Sequence, residues 1–347
     1  MDPIHALFTE SHAIFTSSGV HRKVGQYYVE ETFNIRPEVV GGRYMSKRVQ
    51  KHISEKLYCK FVRQYIFDKT RMEVTIYAQN KSFDFDELYS VLDFYVFVLN
   101  RVVRGAAGPV VPVIHLTLYL TNLKKQFPAK ANVVLDEDNI NSGVTLWEND
   151  PEPNRKIVIY RKEELYKVLL HELIHYYSID FHAYDPSYDV YLMKLFGISV
   201  AAPRKNPRNP LALYESYTDS IACYGHLLTH MLFKGEPTDR ASVMGRVATE
   251  ARFFTTQAAK VWKYGKLKED THAFSYYIVK AAIYRRFDAF MDLLATNGIR
   301  IDTAEKERDF LEFARSCIED DGFWASLAKF RTRTIFLSTL RMSKIRW

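Results

Sequence analysis

The sequence predicts an α+β fold, a mixed sheet backed by helices, followed by a mostly helical C-terminal half. Three observations carry this. Short apolar and β-branched segments, bounded by turn residues, occur between Met72 and Tyr160. From about residue 201 onward the apolar residues recur at helical spacing instead. The chain has 347 residues, 47% hydrophobic and 26% charged, enough for one large core or two modest ones in an ordinary globular protein.

The elements follow in order. The first 65 or so residues are polar and mixed, and no element can be assigned to them from pattern. Met72–Ala78 alternates and is a strand. Asp84 and Asp86 supply acidic caps for a helix running to about Arg104 and ended by Gly105. Val110–Leu120 is unusually apolar, as a central strand would be. Two shorter strands, Val144–Trp147 and Ile157–Tyr160, flank Glu148–Arg155, whose two prolines make it a turn. A helix from about Lys162 to Ser178 opens on Glu163 and Glu164, where the helix dipole favours them. Such a series packs naturally as a mixed sheet with helices on it. Beyond the proline-rich loop Ala202–Pro210, helices are expected over Leu211–Phe233, Arg240–Lys263, His272–Leu294 and Ala304–Phe330. The expected organisation is an N-terminal segment of unassigned fold over 1–65, an α+β subdomain over 66–200 and a helical subdomain over 201–347. The last two are expected to face each other across a cleft.

Composition narrows the setting. The formal charge is +7 and the pI about 9.0, with basic clusters at His21–Lys23, Lys47–Lys51 and Lys329–Arg346. These suit an acidic partner or nucleic acid, yet no RRM, KH, zinc-finger or phosphate-loop pattern accompanies them. The 23 Tyr and 23 Phe read as core. Cys59, Cys223 and Cys317 are odd in number and without CxxC spacing, which points to a reducing compartment. No leader pattern and no apolar run of about 18 residues is present, so a cytoplasmic protein without a membrane span is expected.

The chemistry lies in His171-Glu172-Leu173-Ile174-His175. Positions four apart share a helix face, so both imidazoles can meet one ion, at about 2.0–2.1 Å for zinc. Glu172 lies about 100° round the helix, placed to act as general base toward an attacking water. A catalytic zinc takes three protein ligands. One known pattern places the third six residues after the second His, with a glycine between. Here that position is Phe181, the glycine position is Ser178, and only His182 remains in reserve. A second pattern takes a Glu from a later helix, as ExxxD. Glu215-Ser216-Tyr217-Thr218-Asp219 fits it on an otherwise apolar helix, with Glu215 as ligand and Asp219 as acceptor for a ligating histidine's N–H.

Through His171-Glu172-x-x-His175 and Glu215-x-x-x-Asp219 the chain resembles the gluzincin clan of zinc metallopeptidases. Asn141–Thr145 and Arg161–Glu164, leading into the histidine helix, are also similar to uncharacterised zincin-like proteins of large DNA viruses. That likeness covers about 140 residues. The gap from His175 to Glu215 is longer than in compact clan members, and Tyr214 stands where those often carry Asn. The resemblance implies a zincin-like sheet with an edge strand before the active-site helix, here Gly143, Val144 and Thr145, which would pair with an extended substrate. It also implies an oxyanion donor on a late helix, for which His272, Tyr276 and Tyr277 are the candidates. His226 and His230 fall near the Glu215 and Asp219 face and read as packing. If the substrate were a C-terminal carboxylate, Arg161, Arg204, Lys280 and Arg285 are the cations at hand. The expectation is therefore a peptidase holding one zinc per chain and acting on a peptide or protein. The alternative is a catalytically inactive zincin-fold structural or binding protein, such as a virion component. If the chain is viral, its setting is host cytoplasm or virion.

Overall fold

The computed structural model describes residues 2–17, 25–103, 113–128, 133–146, 155–180, 194, 211–266, 271–330 and 339–345. It is a mixed α+β structure with one open six-stranded mixed sheet. The chain divides into two compact units. A sheet unit takes His5–Lys124 and Asn141–Tyr177, and a helical unit takes Met1–Ile4, Lys125–Ile140 and Ser178–Arg346.

In the sheet unit the elements are α1 (Pro3–Ser17, all but its first turn), β1 (Gly25–Phe33), α2 (Lys47–Lys56), β2 (Cys59–Phe67), β3 (Thr70–Ala78), α3 (Phe85–Val103) and β4 (Val113–Tyr119). The helical unit contributes β5 (Val133–Val134) and α4 (Glu137–Ile140). The sheet unit resumes with β6 (Gly143–Leu146), β7 (Lys156–Ile159) and α5 (Leu165–Tyr176). Spatial order is β1-β2-β3-β4-β7-β6, parallel only across β3/β4 and β4/β7. Thus β4 is central, β6 is an edge, and the first 65 residues, opaque to pattern, supply two strands and two helices of this unit.

Register assigns the faces. Side chains alternate along a strand, and Val74 pairs with Leu116, which pairs with Ile157, which pairs with Thr145. That face carries α3 and α5: Tyr65, opposite Met72 on the same face, donates to Asp93 of α3 at 2.8 Å, and Thr145 reaches Glu172 of α5. The other face is covered by α2, whose Val49 and Ile53 join Tyr119, Val158 and Tyr160 in one buried cluster. The basic residues Lys47, Arg48 and Lys51 lie on the exposed side of α2. The α3 start is as expected, with Asp84 accepting from the Glu87 N–H at 2.9 Å. The α5 start is not. Glu164 adopts a left-handed backbone (φ 62°), so Glu163 and Glu164 precede the helix and do not fill its first turn.

Asp93 is buried beside Tyr65, with the Arg63 guanidinium 4.2 Å from the Tyr89 ring. Burial outweighs the Tyr65 hydrogen bond and Arg63, and pushes the Asp93 carboxyl up to about 7. The folded protein then holds a proton there that the unfolded chain has released. The contribution of Asp93 falls as pH rises from the ordinary carboxylate range toward 7, by up to about 1.4 kcal/mol per pH unit, and is level above it. Asp93→Asn should remove this slope and raise the unfolding temperature relative to wild type at pH 8 more than at pH 5. Equal differences at both pH values would refute it.

The helical unit holds α6 (Tyr214–Phe233), α7 (Arg240–Tyr264), β8 (Gly265–Lys266, parallel to β5), a π-helical turn (Phe274–Val279), α8 (Lys280–Arg285), α9 (Phe287–Asn297), α10 (Ala304–Ile318) and α11 (Asp321–Ala328). From Glu215 to Thr229 every residue of α6 is buried, as a helix surrounded by others must be. Tyr217 packs on Phe310 at 4.9 Å and Phe254 on Tyr284 at 4.6 Å. Two expected helices are broken. His272–Leu294 is a π-turn, a short helix and a restart after Arg286. Ala304–Phe330 stops near Glu319 because Asp320 caps a new helix, accepting from the Gly322 N–H. The segment 339–345 lies in this unit, its carbonyls met by side chains: Lys260 at Thr339, Tyr277 at Leu340, Gln257 at Arg341 and Lys280 at Met342. Among the described residues no helix is long and apolar enough to cross a membrane. Trp147, Phe181, His182, Arg204, the loop Ala202–Pro210 and the cluster His21–Lys23 lie outside the described residues.

Candidate metal centre

The sheet unit builds its part from α5. This helix is buried on nearly every side, so its polar residues must be satisfied from within the protein. Its C-terminal end is held by Arg155, which donates to the Tyr176 carbonyl at 2.6 Å, and by the Tyr176 hydroxyl on the Val113 carbonyl at 2.6 Å. One turn apart, His171 (buried) and His175 (half-buried) turn their Nε2 atoms to within 3.0 Å of each other, ring planes 83° apart. Two imidazole nitrogens this close share either one proton or one cation. Tetrahedral zinc with bonds of about 2.0–2.1 Å separates two ligand atoms by about 3.3 Å. The observed pair fits that donor chemistry.

Glu172 is buried, and its carboxylate meets the edge strand β6. Thr145 Oγ1 donates to Glu172 Oε2 at 2.8 Å, and the Glu172 carbonyl lies 3.0 Å from the same oxygen. Glu172 Oε1 stands against Gly143, where an added Cβ would lie 2.9 Å from it and 2.8 Å from Val168 Cγ1. No side chain fits there without displacement, which accounts for the glycine. Of the three residues singled out on this strand, Gly143 and Thr145 face α5. Val144 points to the α2 face, packed against the cluster around Val158.

In the helical unit, Glu215 occupies the first turn of α6, where the dipole favours a carboxylate, and is buried. Tyr276 donates to Glu215 Oε2 at 3.0 Å. Asp219, one turn on, is fully buried and paired with Lys280 Nζ at 2.5 Å. Lys280 is therefore a core residue of this unit, not a cation open to a substrate carboxylate. Arg285 pairs with Asp320 at 3.5 Å, and Arg161 is fully buried. His226 is buried, and His230 stands 4.0 Å from Glu236.

The three oxyanion candidates separate. The expected helical face shared by His272 and Tyr276 is replaced by a left-handed residue at His272 (φ 56°) leading into the π-turn. Tyr277 commits its hydroxyl to the Leu340 carbonyl at 2.6 Å. Tyr276, half-buried, keeps its hydroxyl on the Glu215 carboxylate. Single π-turns of this kind recur where a side chain must be re-aimed, and no residue in Phe274–Val279 announces one in sequence. Lys280 as the partner of Asp219 and Thr145 as the partner of Glu172 were likewise not legible, since both pairs are long-range.

Comparison with protein-family models, with curated proteins and with solved structures finds no match for this chain.

Proposed function

We propose that the chain is a zinc-dependent hydrolase of peptide bonds, with His171, His175 and Glu215 as metal ligands and Glu172 as general base. The observation that carries the reading is the 3.0 Å apposition of the His171 and His175 Nε2 atoms, with the Glu172 carboxylate buried on the same helix. Two imidazoles and one carboxylate make the His2Glu set of a catalytic zinc. When bound, zinc supplies Lewis-acid activation of water and of the scissile carbonyl.

The remaining work falls to side chains. Glu172 takes the proton of the attacking water and delivers it to the leaving amine. Asp219, held by Lys280, stiffens the α6 turn that carries Glu215. Tyr276 holds Glu215 through its hydroxyl; of the three candidates it is the one beside a proposed ligand, and it would donate to a developing oxyanion only by exchanging that bond. The outer side of β6, the last strand of the sheet among the described residues, would offer backbone groups for pairing with an extended peptide.

The test is zinc content per chain, measured on protein purified without chelators, for wild type and His175→Ala. About one zinc per chain, lost in the variant, supports the reading. No zinc in wild type even after zinc is added back would leave a scaffold without catalysis, and the peptidase reading would be abandoned.

A further inference from the structure

We propose that Thr145 is a positioning residue for Glu172: its hydroxyl clamps one carboxylate oxygen and so fixes the orientation of the carboxylate. This rests on the general-base reading above and assigns a new role to the strand beside it.

A glutamate has three side-chain torsions, and fixing them costs rotamer freedom. A general base needs a fixed place within hydrogen-bond reach of its proton. The sheet unit supplies that place from β6. Antiparallel pairing with β7 sets Thr145 opposite Ile157, so its Cβ is anchored by the ladder. Threonine is β-branched and stiff about χ1, which makes its oxygen a defined point. That oxygen has a single proton and two acceptors in range, Glu172 Oε2 at 2.8 Å and the Glu172 carbonyl at 3.0 Å. The charged acceptor takes the stronger, shorter bond.

Gly143, two residues earlier on the same face, completes the arrangement. Its missing side chain leaves room for Oε1, which a Cβ would approach to 2.9 Å. One oxygen is held by Thr145, and the other lies against Gly143, where only glycine leaves room for it. A purely structural threonine would not need to meet the one carboxylate that the motif assigns to proton transfer.

The experiment compares wild type, Thr145→Val, Thr145→Ser and Glu172→Gln, using one cleaved sequence chosen from an internally quenched peptide mixture. Zinc per chain is measured beside kcat and KM. Thr145→Val should lower kcat by about 10–100-fold, the usual cost of losing an orienting partner, with KM and zinc unchanged. Thr145→Ser should return kcat to within several-fold of wild type. If valine is not tolerated in the folded protein, Thr145→Ala removes the same hydroxyl at smaller volume. Wild-type kcat in the Val or Ala variant, with Glu172→Gln inactive, overturns the positioning role and leaves the general base intact. Activity surviving Glu172→Gln removes the base itself, and the clamp with it.

Discussion

Glu172→Gln is expected to retain zinc and to lose peptide hydrolysis by at least about 10²–10⁴-fold, the range a positioned general base contributes. The substitution is nearly isosteric. The amide oxygen can still accept from Thr145, so the packing of α5 on β6 is preserved. What disappears is the capacity to take a proton. Because the proposed ligands are His171, His175 and Glu215, and not Glu172, metal content should not follow activity. Zinc and turnover measured on the same preparation decide the matter. A variant that cleaves the chosen peptide at the wild-type rate rules out this mechanism. One that loses zinc as well shows that Glu172 shapes the site in a way the side-chain geometry does not require.

Lys280→Met should strongly destabilise the helical unit. Lys280 and Asp219 have side chains 1% and 0% exposed, and their atoms meet at 2.5 Å. Removing the cation strands a carboxylate in the core, at a cost of about 3–5 kcal/mol. For a chain of this size that is a fall in unfolding temperature on the order of 10 °C. Lys280 also donates to the Met342 carbonyl at 2.9 Å, so the 339–345 segment should lose hydrogen-exchange protection. Adding Asp219→Asn should recover much of the loss, because it is the unpaired charge that is costly. Unfolding temperatures of the two variants test this. A shift within about 1 °C for Lys280→Met would mean the pair is solvated or replaced.

Local pattern was a good guide wherever an element's own period decides it. Met72–Ala78 lies within β3, Val110–Leu120 contains β4, and the β6 and β7 segments are each displaced by only one residue at either end. The helix carrying His171 and His175 was legible because an i, i+4 pair states its own geometry. The misses have a common cause. Glu164 and His272 take left-handed backbones that nothing in their side chains demands, and Asp320 caps a helix inside what reads as one continuous apolar period. β1 was hidden because it is an edge strand with even Val29 and Phe33 exposed, and β2 because only some of its residues, such as Tyr65 and Phe67, are buried, against α3 and α1.

By itself the sequence determined the α+β class, the order of the main elements and a helix able to present two imidazoles on one side with a carboxylate beside them. Those are consequences of spacing along a single element. Only the tertiary structure decided that β6 is the sheet edge, that Thr145 and Gly143 address Glu172 while Val144 turns away, and that Asp219 is tied to Lys280. These depend on strand register and on contacts between residues dozens of positions apart, where a slip of one residue would reverse every side chain. Periodicity carries no record of which strand becomes the neighbour of which helix.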